Sequence, residues 1–246
     1  MRTTVNDLLY GALRLEQPSK GYRVNMDSVL LASFARLRRG DSVFELGCGS
    51  GAILLILAWR HPEIRSLEGI EIQEEMADMA RRNAGINGME QRISVITGDL
   101  RNLRREAEGG SYSVVVGNPP YDEKHRSRPS PVAGEAVSRH GAACTLEDVL
   151  AGASWSLARK GRFYTVFRAR RMGELIGGLL KVQLQPKRLR LVYPDPSSEA
   201  SVVLVESVKQ GGAGMIVEPP LWIRDARGAF SPEYLFAYTR EGWPCP

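Results

Sequence analysis

Ser42-Val43-Phe44-Glu45-Leu46-Gly47-Cys48-Gly49-Ser50-Gly51 runs directly into the apolar stretch Ala52–Trp59. A short β-rich run that breaks at alternate glycines and continues as an apolar helical stretch, stopped before Pro62, reads as strand, turn and helix. Glycine suits such a turn because the backbone must bend sharply and then approach a ligand with no Cβ between them. The helix that follows offers unpaired N–H groups at its first turn, so the arrangement is a cradle for a nucleotide-type cofactor. Gly47, Gly49 and Ala52 also satisfy G-x-G-x-x-A, and the turn alone leaves a dinucleotide fold and a plain tight βα connection open.

Outward from this turn, β-rich runs alternate with helical stretches. Ser42–Leu46, Ser66–Ile72, Ile93–Thr97, Tyr112–Val116, Arg162–Phe167, Arg188–Val192 and Ser201–Val208 are expected strands. Ala52–Trp59, Gln73–Asn87 (ending at Gly88) and Met172–Leu180 are expected helices. The alternation predicts an α/β fold around a mixed seven-stranded sheet, its last two strands forming an antiparallel hairpin. Residues 1–40 form an N-terminal extension, 41–210 the main domain and 211–246 its C-terminal tail, whose residues from Glu218 carry no readable signal. Asp122–Gly141, rich in Pro, Arg and Ser, follows the fourth strand at the sheet edge where open α/β folds bind ligands.

The 246 residues are 43% hydrophobic and 25% charged, which excludes collagen, coiled coil and bulk disorder. The longest apolar run, Ile53–Ala58 with Ala52 and Trp59 extending it, is far short of the roughly 20 residues of a membrane span, and no signal-peptide block opens the chain. Cys48, Cys144 and Cys245 have neither zinc-ligand nor paired-disulfide spacing, so a reducing, cytoplasmic setting without a metal is expected. The net charge of +5 is regional: Lys124–Arg190 holds 14 Lys or Arg against 4 Asp or Glu. That is the footprint of a docked polyanion or of a solvated face. A net charge away from zero is compatible with a monomer and equally with a homodimer.

Three further positions sharpen the turn's meaning. Glu71 ends the second strand 24 residues after Gly47, where a carboxylate can accept both hydroxyls of a ribose. Asp99 follows the third strand and either accepts from an adenine amine or caps a helix. Asn118-Pro119-Pro120-Tyr121 follows the fourth strand. Two prolines end the pairing and hold an extended backbone with its carbonyls outward. An amine conjugated to a planar ring is a poor nucleophile, and a catalyst must hold both its protons so that the lone pair faces an electrophile. The Asn118 side-chain oxygen and the Pro119 carbonyl supply two such acceptors, and Tyr121 supplies a flat face for the ring.

Glu45–Gly51, Glu71, Asp99 and Asn118–Tyr121, in this order after matching strands, resemble the class I S-adenosylmethionine-dependent methyltransferases with the Asn-Pro-Pro-Tyr amino-methylation motif. The resemblance covers most of Gly21–Val208. Gly21–Leu31, Arg139-His140, Pro186–Arg190 and Ser201–Glu206 make the chain similar, more narrowly, to the bacterial tRNA1(Val) adenine-37 N6-methyltransferases. The resemblance implies a Rossmann-like sheet of order 3-2-1-4-5-7-6 with helices on both faces. It implies S-adenosylmethionine as cofactor, with Gly47, Gly49 and Gly51 at its methionine end, Glu71 at the ribose, Asp99 at the adenine, and Glu45 and Asn118 beside it. Asp27 matches a family position near the cofactor, and as the acidic cap of Ser28–Phe34 it has an equally good structural role. Arg139-His140 is followed by Gly141 where the family more often has Glu.

The expected activity is N6-methylation of a tRNA adenosine at position 37, flipped from its stack, with Lys124, Arg126, Arg128, Arg139, His140, Lys187, Arg188 and Arg190 as candidate RNA contacts. A protein glutamine amide presents the same planar NH2, so a glutamine N5-methyltransferase acting on release factors is the near alternative. An rRNA guanine N2-methyltransferase, a NAD-dependent oxidoreductase and a non-catalytic binding module complete the set. The intact Asn118–Tyr121 motif argues against the last two.

Overall fold

The computed structural model describes residues 2–20, 24–64, 66–103, 109–119 and 144–243. An antiparallel hairpin opens the chain, β1 (Thr3–Leu8) with β2 (Leu13–Pro18), followed by α1 (Met26–Phe34). Then come β3 (Val43–Leu46), α2 (Ala52–Arg60), β4 (Leu67–Glu71), α3 (Glu74–Ile86), β5 (Ile93–Thr97) and β6 (Tyr112–Gly117). The second half contributes α4 (Leu146–Ser156), β7 (Leu157–Arg168), α5 (Met172–Lys181), β8 (Leu184–Tyr193) and β9 (Val202–Lys209). Short strands β10 (Ile216–Val217) and β11 (Leu221–Trp222) and a helical turn α6 (Pro232–Phe236) close it.

The main sheet runs β10-β8-β9-β7-β6-β3-β4-β5, with β11 beside β8. It has nine strands where the sequence predicted seven, because the tail adds β10 and β11 to the outer edge of β8. Strands β3 to β7 pair in parallel, and β9 is antiparallel to both β7 and β8. All four residues of β3 are buried, as a central parallel strand covered on both faces requires.

One face of the sheet packs on α1, α2 and α3, the other on α4 and α5. Helix α2 is apolar around its whole circumference, which matches its place between sheet, α1, α3 and β2; Leu54, Ile56, Leu57 and Ala58 are all 0% exposed. Helix α3 is amphipathic, with Met76, Ala77, Met79, Ala80 and Ala84 turned inward. Helix α4, not anticipated from sequence, starts at a reciprocal capping box between Thr145 and Asp148.

The hairpin is secured by side chains in place of a neighbouring strand. Asn87 accepts from the Arg14 N–H and donates to its carbonyl (2.9 and 2.7 Å), and Asn83, one turn earlier, does the same for Glu16 (2.7 and 2.8 Å). Residues four apart on a helix thus serve residues two apart on a strand. The chain's tail is anchored by Arg60, which donates to the Ala237 carbonyl and to Ser33 Oγ. No helix among the described residues is long and apolar enough to cross a membrane.

Candidate cofactor and methyl-transfer site

The parallel strands end at one edge, and the glycine turn lies there between β3 and α2. Gly47, Gly49 and Gly51 have φ of +68°, +54° and +80°, values that a side chain would strain at every one of the three positions. The turn is pinned by hydrogen bonds from Cys48 N to the Ile70 carbonyl (3.0 Å) and from Gly51 N to the Cys48 carbonyl (2.8 Å). A Cβ at Gly51 would lie 3.1 Å from that of Ala80, so α3 packs directly on the turn. At Gly47 a Cβ would meet nothing within 4 Å, so open space faces the backbone there.

Glu71, at the end of β4 and buried, joins the turn to its neighbours. Its Oε2 accepts from Gly49 N and its Oε1 from Gln73 N, both at 3.0 Å. Two backbone donors therefore fix the carboxylate, which still has lone pairs on each oxygen for further donors. Glu45 is 2% exposed, and its Oε2 has no hydrogen-bond partner. Burial pushes its carboxyl well above the usual range, against the pull of the Leu54 N–H in the first turn of α2, and the nearby Glu71 charge adds to the rise. Burial likewise raises the Cys48 thiol.

Asp99 caps the 3-10 turn Leu100–Asn102 by accepting from Arg101 N, and its carboxylate is also clasped by the Arg101 guanidinium, which holds it below its ordinary range. Leu46 pairs with Gly117 across β3 and β6, so Asn118 is level with Gly47. Asn118 is half-buried and Pro119 buried. Pro120, Tyr121, Lys124, Arg126, Arg128, Arg139 and His140 lie outside the described residues.

The start of α1 reaches the same turn through a relay. Asn83 donates to the Ser50 carbonyl (2.9 Å) as well as to Glu16, and the Gln17 side chain beside it accepts from Val24 N (3.2 Å). Asn25, not Asp27, is the N-cap of α1: its Oδ1 accepts from Asp27 N while its amide donates to Asp27 Oδ2. An amide serves better at this position because it both accepts and donates. Asp27 is buried, one residue into the helix.

Two expected RNA contacts are corrected. The β8 ladder slips between Pro186 and Arg188, since proline cannot donate, and the extra residue Lys187 exchanges the faces of the strand. Arg188 and Arg190 therefore share the face of Val192, toward α1 and the tail, and each is 5% exposed. Arg188 pairs with Glu206 (3.0 Å) and Glu218 (2.9 Å), ion pairs whose N–H groups are not aligned as hydrogen bonds, and stacks 4.0 Å over the Phe34 ring. Arg190 pairs with Glu233 and lies over Trp243. Neither guanidinium is available to a phosphate. Lys187 donates to the Gly212 and Ala213 carbonyls. The cations missed by sequence are Arg168 and Arg170, exposed where β7 ends at the carboxyl edge beside β6. A cavity of about 350 Å³ lined by Leu180, Gln183 and Gln210 lies at the opposite, amino end of the sheet.

The methyltransferase small domain model matches residues 22–181. A tRNA1(Val) (adenine(37)-N6)-methyltransferase of Porphyromonas gingivalis is 30% identical over 231 residues, 90% of this chain and 89% of the relative. The fold is similar to a predicted O-methyltransferase from Agrobacterium tumefaciens (TM-score 0.73, 23% identity, 88% of this chain and 97% of that one). It is also similar to a geranyl diphosphate methyltransferase in complex with S-adenosylmethionine (TM-score 0.53, 16% identity, 73% and 82%).

Proposed function

This chain belongs to the methyltransferase small domain family, and from that premise we propose that it methylates N6 of an adenosine in tRNA, at position 37 of tRNA1(Val). The observation that carries the reading is the register of β6 on β3, which puts Asn118 and Pro119 level with the glycine turn. A tRNA substrate also implies a cytoplasmic location.

S-adenosylmethionine is the cofactor of this family and, when bound, supplies a methyl group made electrophilic by a sulfonium. The residues present fit it: a left-handed glycine turn facing open space, a carboxylate fixed by two backbone donors, and a buried Glu45 oxygen still lacking a donor. Gly47, Gly49 and Gly51 hold its methionine end and Glu71 its ribose. Asp99 serves the adenine with lone pairs beyond those used by Arg101, and Asp27 and Glu45 line the approach.

Asn118 Oδ1 and the Pro119 carbonyl accept the two amine protons, which turns the nitrogen lone pair out of conjugation with the ring. Tyr121 supplies the face on which the flipped base stacks. With the amine so held, its lone pair would face the methyl group that the cofactor would supply, and the proton released on methylation would pass to water. Asn118 and Pro119 thus act by position, with no side-chain base. Lys124, Arg126, Arg128, Arg139 and His140 are retained as RNA contacts, joined by Arg168 and Arg170, and binding weakens steeply with salt.

The test offers labelled S-adenosylmethionine with total tRNA from a strain lacking the activity and, separately, with purified release factors. Label recovered as N6-methyladenosine is the expected result, and Asn118→Ala is expected to slow it by roughly 100- to 1000-fold, the range for losing one transition-state hydrogen bond. Label in protein alone would move the same site to a glutamine amide and overturn the reading.

A further inference from the structure

Four aromatic rings form a continuous file between the tip of the β1–β2 hairpin and the turn that follows β11. Tyr10 lies 5.9 Å from Tyr238, Tyr238 5.2 Å from Tyr234, and Tyr234 5.1 Å from Phe230, centroid to centroid. The Tyr234 and Tyr238 hydroxyls share a hydrogen bond of 2.8 Å, and the Arg224 guanidinium covers the Phe230 ring at 4.2 Å. Of the two inner rings Tyr234 is buried and Tyr238 half-buried, but both ends are open: Tyr10 is 75% exposed and Phe230 45%.

The hairpin tip holds Tyr10 out at a conformational cost. Leu9, Tyr10 and Gly11 take consecutive left-handed φ of +52°, +56° and +86°. This disfavoured run turns Leu9 into the core and leaves the Tyr10 ring in solvent. Tyr10 and Gly11 are the central pair of a primed turn closed by Ala12 N on the Leu9 carbonyl (3.2 Å), so the twist of the hairpin accounts for the conformation, and Tyr10 is the residue it leaves standing in water.

The Phe230 end of the file lies at the carboxyl edge of the sheet. Arg224 N donates to the Pro194 carbonyl just past the end of β8, and Ile223 N to that of Tyr193. Tyr238 is near enough to Asp27, at the start of α1, for that charge to act on its hydroxyl. The start of α1 is in turn tied to the glycine turn through Gln17, Glu16 and Asn83. Around the file the exposed cations are Arg224, Arg227 and Arg240; Asp225 and Glu241 stand beside them, while Glu233 pairs with Arg190.

We propose that Tyr10 and Phe230 are stacking positions for unpaired bases of the RNA loop that carries the target adenosine. This rests on the tRNA reading of the same site. Open rings interleaved with arginine, beside a site that takes a flipped base, suit single-stranded nucleic acid, since every base has a face to stack and every link a phosphate.

Methyl-transfer kinetics of the full chain, with RNA and S-adenosylmethionine varied separately, test the proposal. Tyr10→Gly removes the ring and relieves the left-handed backbone, so the unfolding temperature holds or rises while KM for RNA increases on the order of tenfold. KM for S-adenosylmethionine and turnover at saturating RNA stay unchanged. Tyr10→Phe keeps the RNA KM near wild type, and Phe230→Ala raises it from the other end of the file. The salt slope of RNA binding stays the same in Tyr10→Gly, because stacking releases no counterions. An unchanged RNA KM in Tyr10→Gly and Phe230→Ala overturns the proposal, as does a rise that appears equally for the cofactor. Wild-type protein that labels release factors and no RNA refutes the tRNA reading itself, a failure seen before any variant is made.

Discussion

Asn83 is 0% exposed and makes three hydrogen bonds with one amide: from Glu16 N at 2.7 Å, to the Glu16 carbonyl at 2.8 Å and to the Ser50 carbonyl at 2.9 Å. Each buried bond contributes about 1 kcal/mol net, and a buried partner left unmet costs about 1–3 kcal/mol. Asn83→Ala is therefore expected to destabilise the fold by roughly 3–5 kcal/mol, a large part of a typical 5–15 kcal/mol total. Asn83→Asp is nearly isosteric yet sets an acceptor where the amide donated, facing two backbone carbonyls. Its buried carboxyl has a raised pKa, so stability is present at low pH and lost as pH rises through that value. Urea unfolding should rank Asp below Ala at pH 8 and close the gap at pH 5. Because one bond holds Ser50 in the glycine turn, titration calorimetry should also find weaker S-adenosylmethionine binding in the folded fraction of both variants. An Asp variant as stable as wild type at pH 8 would refute the assignment of donor and acceptor faces.

Glu45 gives a second pH signature. A carboxyl raised by burial favours the fold below the ordinary carboxylate range, and that advantage is lost by up to about tenfold in the folding constant per pH unit until the raised value is passed. Glu45→Gln has no such slope, so its urea midpoint should gain on wild type from pH 4.5 to 7.5; parallel midpoints would mean that Glu45 stays solvated. Arg188→Met leaves Glu206 and Glu218 without their buried partner and should cost about 3–5 kcal/mol in unfolding experiments. The same variant should leave the salt slope of RNA binding untouched, whereas a slope reduced by about one would place Arg188 on a phosphate.

What the sequence made legible was local. The glycine turn, Glu71 and Asn118 each sit within a few residues of a strand end, so spacing alone placed them. The capping box at Thr145–Asp148 was an equally local signal that would have found α4. Strand β1 was not legible, because Thr3–Leu8 is mostly exposed and has no apolar alternation. Strand β2 does alternate, with Leu13 and Leu15 inward, but its partners Asn83 and Asn87 are some 70 residues away. Arg188 and Arg190 were misread for a physical reason: both faces of β8 are covered, and the acids that pair with the two guanidiniums, Glu206, Glu218 and Glu233, are remote in sequence, so composition carries no record of it.

The basic stretch Lys124–Arg190 shows why charge counted along a chain is a weak guide to where a polyanion docks. Arg162, Arg188 and Arg190 lie inside the sheet's packing with Asp41, Glu206 or Glu233 beside them, so their fields are cancelled within a few ångströms. Arg171 is held by Glu174 in the same helical turn. Arg168 and Arg170 are exposed at the carboxyl edge, a position that count alone had not distinguished. The tail, which adds little to the charge, instead brings Phe230 and Arg224 to that edge. Phosphate attraction draws the substrate to the edge without choosing among bases, whereas stacking acts at contact and positions a strand. On the proposed function, a site that selects one adenosine in one loop would need both, and the two would come from different parts of the chain.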